Sequence, residues 1–120
     1  MVLTEKGTLP VGVDYDGKTH REFEIREELT GDMIAVFDDE AIVARGSKND
    51  AFLGLCILSK QILSIGTMPP DALNHELLLG MHRPDFAEIQ RASKRLEEKR
   101  RSFRVDEEGQ IPSPDGHGAD

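Results

Sequence analysis

Asp38, Asp39 and Glu40 stand side by side, and neighbouring carboxylates are the residue type that holds a divalent cation or shares a proton. Read as part of a helix, adjacent residues sit about 100° apart round the axis, so the three acids fan outward and form a solvated face. The histidines, His20, His75, His82 and His117, fall on a strand, a helix, a connector and the C-terminal tail, and one cysteine accompanies them. That spacing fits no zinc-ligand pattern. His75 and His82 could approach each other on adjoining turns, although lone histidines are more often surface residues. Cys56 lies in an apolar run with no histidine near it in sequence, which reads as core filler, not a nucleophile. The chain has neither a glycine-rich phosphate loop nor a serine elbow. The expectation is a protein that binds other proteins, with no catalytic residues, no metal and no cofactor.

One strongly charged segment remains. Lys94 to Arg104 carries Lys94, Arg95, Lys99, Arg100, Arg101 and Arg104 against Glu97 and Glu98, a local charge of +4 against −12 over the rest of the chain. Lysine and arginine displace counterions from phosphate backbones, so a small nucleic-acid-binding regulator using the basic helix 94–104 is the alternative function. Lys94 with Glu98 and Glu97 with Arg101 are also helix pairs at four-residue spacing, and no helix-turn-helix or stacking pattern accompanies them. Attraction to an acidic protein surface, another copy's included, is the favoured reading.

The elements that must carry these residues belong to a small acidic chain: 120 residues, net charge −8, 32% charged and 5% aromatic. One domain over residues 1–105 is expected, with a modest core. The longest apolar run, Ala51 to Leu58, is about a third of what a membrane-spanning helix needs. Glu5 and Lys6 occupy the place where a secretory signal has its apolar centre. With the lone cysteine, this points to a reducing, cytoplasmic location.

Leu9, Val11 and Val13 alternate with polar or small residues, and Phe23 and Ile25 do so beyond Asp16-Gly17, which predicts a β-hairpin over 8–26. A two-residue loop at Asp16-Gly17 would pair Val13 with His20 and set the two apolar rows on opposite faces. A three-residue loop, Tyr15 to Gly17, pairs Leu9 with Phe23 and Val11 with Arg21, gathers all five apolar residues on one face, and is therefore expected.

About four helices follow, over about 31–104. Thr30-Gly31-Asp32 can cap the first, running to about Arg45 with Met33, Val36, Phe37, Ile42 and Val43 on its apolar side. Ser47 and Asp50 resemble a capping box for the second, which runs to about Ile65 with Phe52, Leu55, Cys56, Ile62 and Leu63 in one stripe. A short helix through Leu77 to Leu79 ends at Gly80, and Arg83-Pro84-Asp85 opens the last. Phe86, Ile89, Ser93, Leu96, Arg100 and Phe103 recur along it at coiled-coil spacing, and self-association is expected from this seam and the apolar second helix. Residues 106–120 hold acids, glycines and prolines with Ile111 alone among them as a sizeable apolar residue, and should be disordered. The fold class is α+β, mainly α.

The ordered series of the Val13, Asp16, Gly17, Lys18 hairpin, Leu29-Thr30-Gly31-Asp32, Gly66-Thr67-Met68-Pro69-Pro70-Asp71-Ala72-Leu73 and Leu79-Gly80-Met81-His82-Arg83-Pro84-Asp85-Phe86 resembles the tail assembly chaperones of long-tailed bacteriophages. The Mu-like family, also found in prophages, is the nearest in kind, and the resemblance covers roughly Leu9 to Phe103. It implies a protein that acts in the host cytoplasm and is not part of the mature virion, and the self-association expected above makes it a homo-oligomer. Its partners would be the tape measure protein, whose helices it keeps soluble, and the tail tube protein, which it helps recruit. The charged end of the last helix and the acidic tail depart from the family pattern. Candidate protein-binding residues are Leu55, Ile62, Phe86 and Leu96, with Asp16 and Gly17 at the hairpin turn.

Overall fold

A computed structural model describes the backbone of residues 1–110 and the side chains of residues 1–103. Strands β1 (Thr4–Tyr15) and β2 (Lys18–Arg26) form the hairpin, and Tyr15 pairs with Lys18. Asp16 and Gly17 both have positive φ, 54° and 75°, the mark of a two-residue turn whose twist matches the strands. The three-residue loop is thus corrected. Val13 pairs with His20, and neither Leu9–Phe23 nor Val11–Arg21 is formed.

The mismatch of faces that argued for the longer loop is resolved further along β1. Pairing lapses after Val13↔His20 and resumes at Thr8↔Glu22, so residues 9–12 of β1 stand opposite Arg21 alone. The surplus is three residues, an odd number, so Leu9 moves from the side of Glu22 and Glu24 to the side of Phe23 and Ile25. Leu9, Phe23 and Ile25 are buried, whereas Val11, expected beside them, is 45% exposed at the crest of the bulge.

The helix expected to reach Arg45 is broken in two, α1 (Thr30–Phe37) and α2 (Glu40–Gly46). The Asp39 carboxylate accepts from the amides of Ala41 and Ile42 at 3.0 and 3.2 Å, and this cap begins a new helix where the old one would have continued. The carboxylate triplet therefore spans a junction. At the start of α1 it is the Leu29 amide that donates to Asp32, at 2.8 Å, and Thr30 is already helical.

Helix α3 (Asp50–Ser59) is capped by Asn49, which accepts from the Phe52 amide at 3.1 Å, in place of the expected Ser47–Asp50 box. It also ends six residues before the expected Ile65, and Ile62–Ile65 form a third strand, β3, antiparallel to β2 in the order β1-β2-β3. The main-chain groups of β2 would lack partners without it. Arg26 donates to Gln61, Gly66 donates to Glu22, and Ile65 pairs with Phe23. After a 3-10 turn at Pro70–Ala72 come α4 (His75–Leu79) and α5 (Arg83–Gln110), making five α-helices among the described residues where about four were expected. α5 runs on to Gln110, where the last helix was expected to end near residue 104 and the disordered tail to begin at 106, and residues 111–120 of that tail lie outside the described residues.

The main core joins Leu9, Phe23, Ile25 and Ile65 of the sheet to Ile89, Ala92 and Leu96 of α5, with Leu58, Met68 and Leu78 beside them. A smaller cluster, Val36, Ile42, Phe52 and Cys56, holds α1, α2 and α3 together. The α1–α2 break lets Val36 and Ile42 both reach it. Among the described residues no helix is long and apolar enough to cross a membrane.

Candidate protein-binding surface

The two faces of α5 behave differently. Its inner face is locked to the hairpin. Asp85, fully buried in the first turn, accepts from the amides of Val11 and Gly12 at 2.8 and 2.9 Å. The bulge is what turns these two N–H groups away from β2, and Gly12 reaches the required shape with φ 105°. Arg21 braces the same loop by donating to the Leu9 and Pro10 carbonyls at 2.8 and 3.3 Å. A carboxylate at a helix N-terminus also meets the positive end of the helix dipole.

Further along this face, Arg95 and Lys99 reach the Glu5 carboxylate at 2.8 and 3.1 Å, and Arg100 reaches Glu27 at 2.8 Å. The Arg95 hydrogen bond holds Glu5 below the usual carboxylate range. Arg100, helped by the Leu3 amide, draws Glu27 down to about 2 against the cost of desolvation. Three of the basic residues that raised the nucleic-acid alternative thus neutralise carboxylates of this same chain. Lys94 and Arg101 point outward and are exposed.

The outer face of α5 borders a trough. A hollow of about 550 Å³ lies between α3 and α5, lined by Ala51, Gly54, Leu55 and Leu58 on one side and Phe86, Gln90 and Ser93 on the other. A second hollow, about 510 Å³, continues it between α5 and the start of α1, where Leu29 and Met33 face Leu96 and Arg100. Glu28, Ser93 and Glu97 line both. Beyond the second hollow α1 turns a row of apolar side chains to solvent: Leu29 45%, Met33 39%, Ile34 50% and Phe37 51% exposed. Met33 and Phe37 are four residues apart and Ile34 and Phe37 three, so they form one continuous patch.

Of the candidate residues, Leu55 and Phe86 are brought together, half-buried, across the first hollow. Ile62 is buried in β3 and belongs to the core, which removes it as a contact residue. Leu96 is core as well, with only its edge on the second hollow. The coiled-coil seam is therefore largely the chain's own interior, since Ile89 and Leu96 pack on the sheet. Asp16 and Gly17 form the turn, beside a polar hollow of about 260 Å³ lined also by His20 and Thr67. There the Thr67 amide donates to Nδ1 of His20 at 3.3 Å, while Nε2 lies 3.2 Å from the Tyr15 carbonyl oxygen. Among the described residues no acidic, histidine or cysteine side chains are grouped so as to hold a metal ion.

The α1 patch was absent from the candidate residues. Its signal was an excess: Met33, Ile34 and Phe37 crowd an eight-residue helix that buries Val36 alone among its apolar side chains. Asp85 gave no sequence signal for its main role, because its partners exist only once β1 has bulged. In comparisons with known proteins, no family model, no curated protein and no solved structure matches the chain.

Proposed function

We propose that this protein is a tail assembly chaperone of a long-tailed bacteriophage or prophage. It binds helical segments of the tape measure protein, keeps them soluble in the host cytoplasm and helps recruit tail tube subunits, with no catalytic step. The observation that carries the reading is the α1 patch of Leu29, Met33, Ile34 and Phe37, four apolar side chains turned to solvent within one short segment of an acidic, highly charged protein. A contiguous exposed apolar patch marks a partner site. A tape measure chain is long and helical, and its apolar stripes face water until the tube encloses them. Such a client calls for an open apolar surface, which α1 and the adjoining hollow provide, more than for a shaped pocket. The net charge of −8 favours solubility of the complex and opposes non-specific binding to nucleic acid. The alternative as a nucleic-acid-binding regulator loses support from the ion pairs of Arg95, Lys99 and Arg100.

Co-expression tests this reading. A tape measure protein from the same phage genome should move from the insoluble to the soluble fraction when both are produced, and should be recovered in complex with this chain. Equal insolubility with and without the chain, and no complex on pull-down, would refute it.

A further inference from the structure

We infer that the outer face of α5 is a self-complementary surface on which a second copy of this chain docks antiparallel. Gln90, Lys94, Glu97 and Arg101 follow one another at intervals of four, three and four residues, so they share one face of the helix, and all four are exposed. That spacing is a palindrome. When two such helices cross antiparallel about a twofold axis between Arg95 and Leu96, Lys94 of each copy meets Glu97 of the other. Gln90 of each meets Arg101 of the other, so both contacts are made twice. A twofold interface must be complementary to itself, and this register meets that demand with opposite charges and no like-charged pair along the strip.

The surroundings of the strip suit a helix as occupant. Ala51 and Gly54 on α3 are small enough to let a second helix approach closely, and Leu55 and Phe86 supply apolar cover at the floor of the hollow. Each α5 then sits in the α3–α5 hollow of the other copy. The charges of the strip are available: among the described residues Lys94, Glu97 and Arg101 make no ion pair within the chain, whereas Glu88, Arg91, Arg95 and Lys99 on the neighbouring faces do. Arg83 to Arg101 spans about 27 Å of helix, and with α3 alongside the patch is about 20 Å wide, or about 540 Å² per copy. Both sides together come to about 1,100 Å², at the lower end for a specific interface, so the dimer is weak and its dissociation constant lies in the micromolar range. The inference is independent of the proposed client, because it uses none of the α1 patch.

Sedimentation velocity between about 5 and 200 µM tests it, with circular dichroism to confirm folding of each variant. The unaltered chain should pass from monomer to dimer over that range. K94E and E97K each bring like charges together twice and should weaken association at least tenfold, while K94E/E97K restores opposite pairs and should return to within about threefold of the original. F37S, on the α1 patch, should leave association unchanged. A chain that stays monomeric throughout overturns the proposal. So does a dimer indifferent to K94E and E97K, a double variant that fails to recover, or a dimer abolished by F37S. A monomer whose client binding alone responds to K94E would show that the hollow holds a client helix and would overturn it equally.

Discussion

Asp85→Ala removes the acceptor that holds the β1 bulge to the first turn of α5. The Gly12 amide is buried and would be left without a partner, at about 1–3 kcal/mol, while the part-buried Val11 amide can turn to water at a cost of about 1 kcal/mol. Losing the carboxylate from the helix N-terminus adds about 0.3–1 kcal/mol. The sum, about 2–5 kcal/mol, is a large share of the 5–15 kcal/mol typical of a domain. In urea, with a slope of about 1–3 kcal/mol/M, the midpoint should fall by about 1–2 M. Asp85→Asn keeps one acceptor oxygen but turns an NH₂ toward the second amide, so its loss should be intermediate. Hydrogen exchange provides the local check, because protection of the Gly12 amide should disappear in Asp85→Ala before the sheet as a whole opens. A midpoint shift under about 0.3 M with Gly12 still protected would refute the reasoning and place the bulge's support elsewhere.

Gly12→Ala should cost about 2 kcal/mol or more, since φ is 105° and a Cβ would stand 2.6 Å from the Thr19 methyl and 3.2 Å from the His20 carbonyl oxygen. Gly17→Ala meets open space and should lose only about 1 kcal/mol, so equal losses in thermal unfolding would contradict the role given to the bulge. Acid should unfold the protein between about pH 5 and 2: Glu27, lowered to about 2 by Arg100, contributes stability that is complete above the ordinary value of 4.5 and is lost as pH falls through the folded value. Asp32, lowered by Arg26, and Glu5, lowered by Arg95, act in the same direction, so Arg100→Ala should flatten the pH dependence of the urea midpoint in this window. An unchanged slope would show that the Glu27–Arg100 pair contributes nothing to it.

The hairpin and the predominance of helix were legible because Asp16-Gly17 and the alternation around it are local signals, read within a few residues. The register was not. Deriving it from the turn alone assumed an uninterrupted ladder, whereas β1 keeps the tight turn and corrects its faces with three surplus residues that no local pattern announces. The third strand was hidden for a different reason. Ala51 to Leu58 and Ile62 to Ile65 are mostly apolar runs with no clear alternation, and periodicity cannot separate a buried helix from a short buried strand. What divides them is the need of β2 for a partner, a tertiary demand. Asp39 illustrates a third limit, since an aspartate inside an apolar helical pattern reads as a solvated face until its carboxylate is seen capping a new helix. Leu55, Ile62, Phe86 and Leu96 look alike in sequence, as apolar residues of helical stripes, and only burial separates the first and third, half-buried across one hollow, from the other two, which went to the core. The α1 patch needed the structure, because only burial shows which side of that helix is surplus.

The central claim is that the α1 patch receives an apolar helix, and fluorescence anisotropy with purified protein measures this most directly. The probe is a labelled peptide of about 25 residues spanning an amphipathic helix of the tape measure protein proposed as its client. It should bind the unaltered protein with a micromolar dissociation constant. M33D/F37S, which changes two exposed side chains and leaves buried Val36 in place, should bind it at least tenfold more weakly while retaining its urea midpoint. Equal affinity of the two proteins for the peptide, with both fully folded, would contradict the claim.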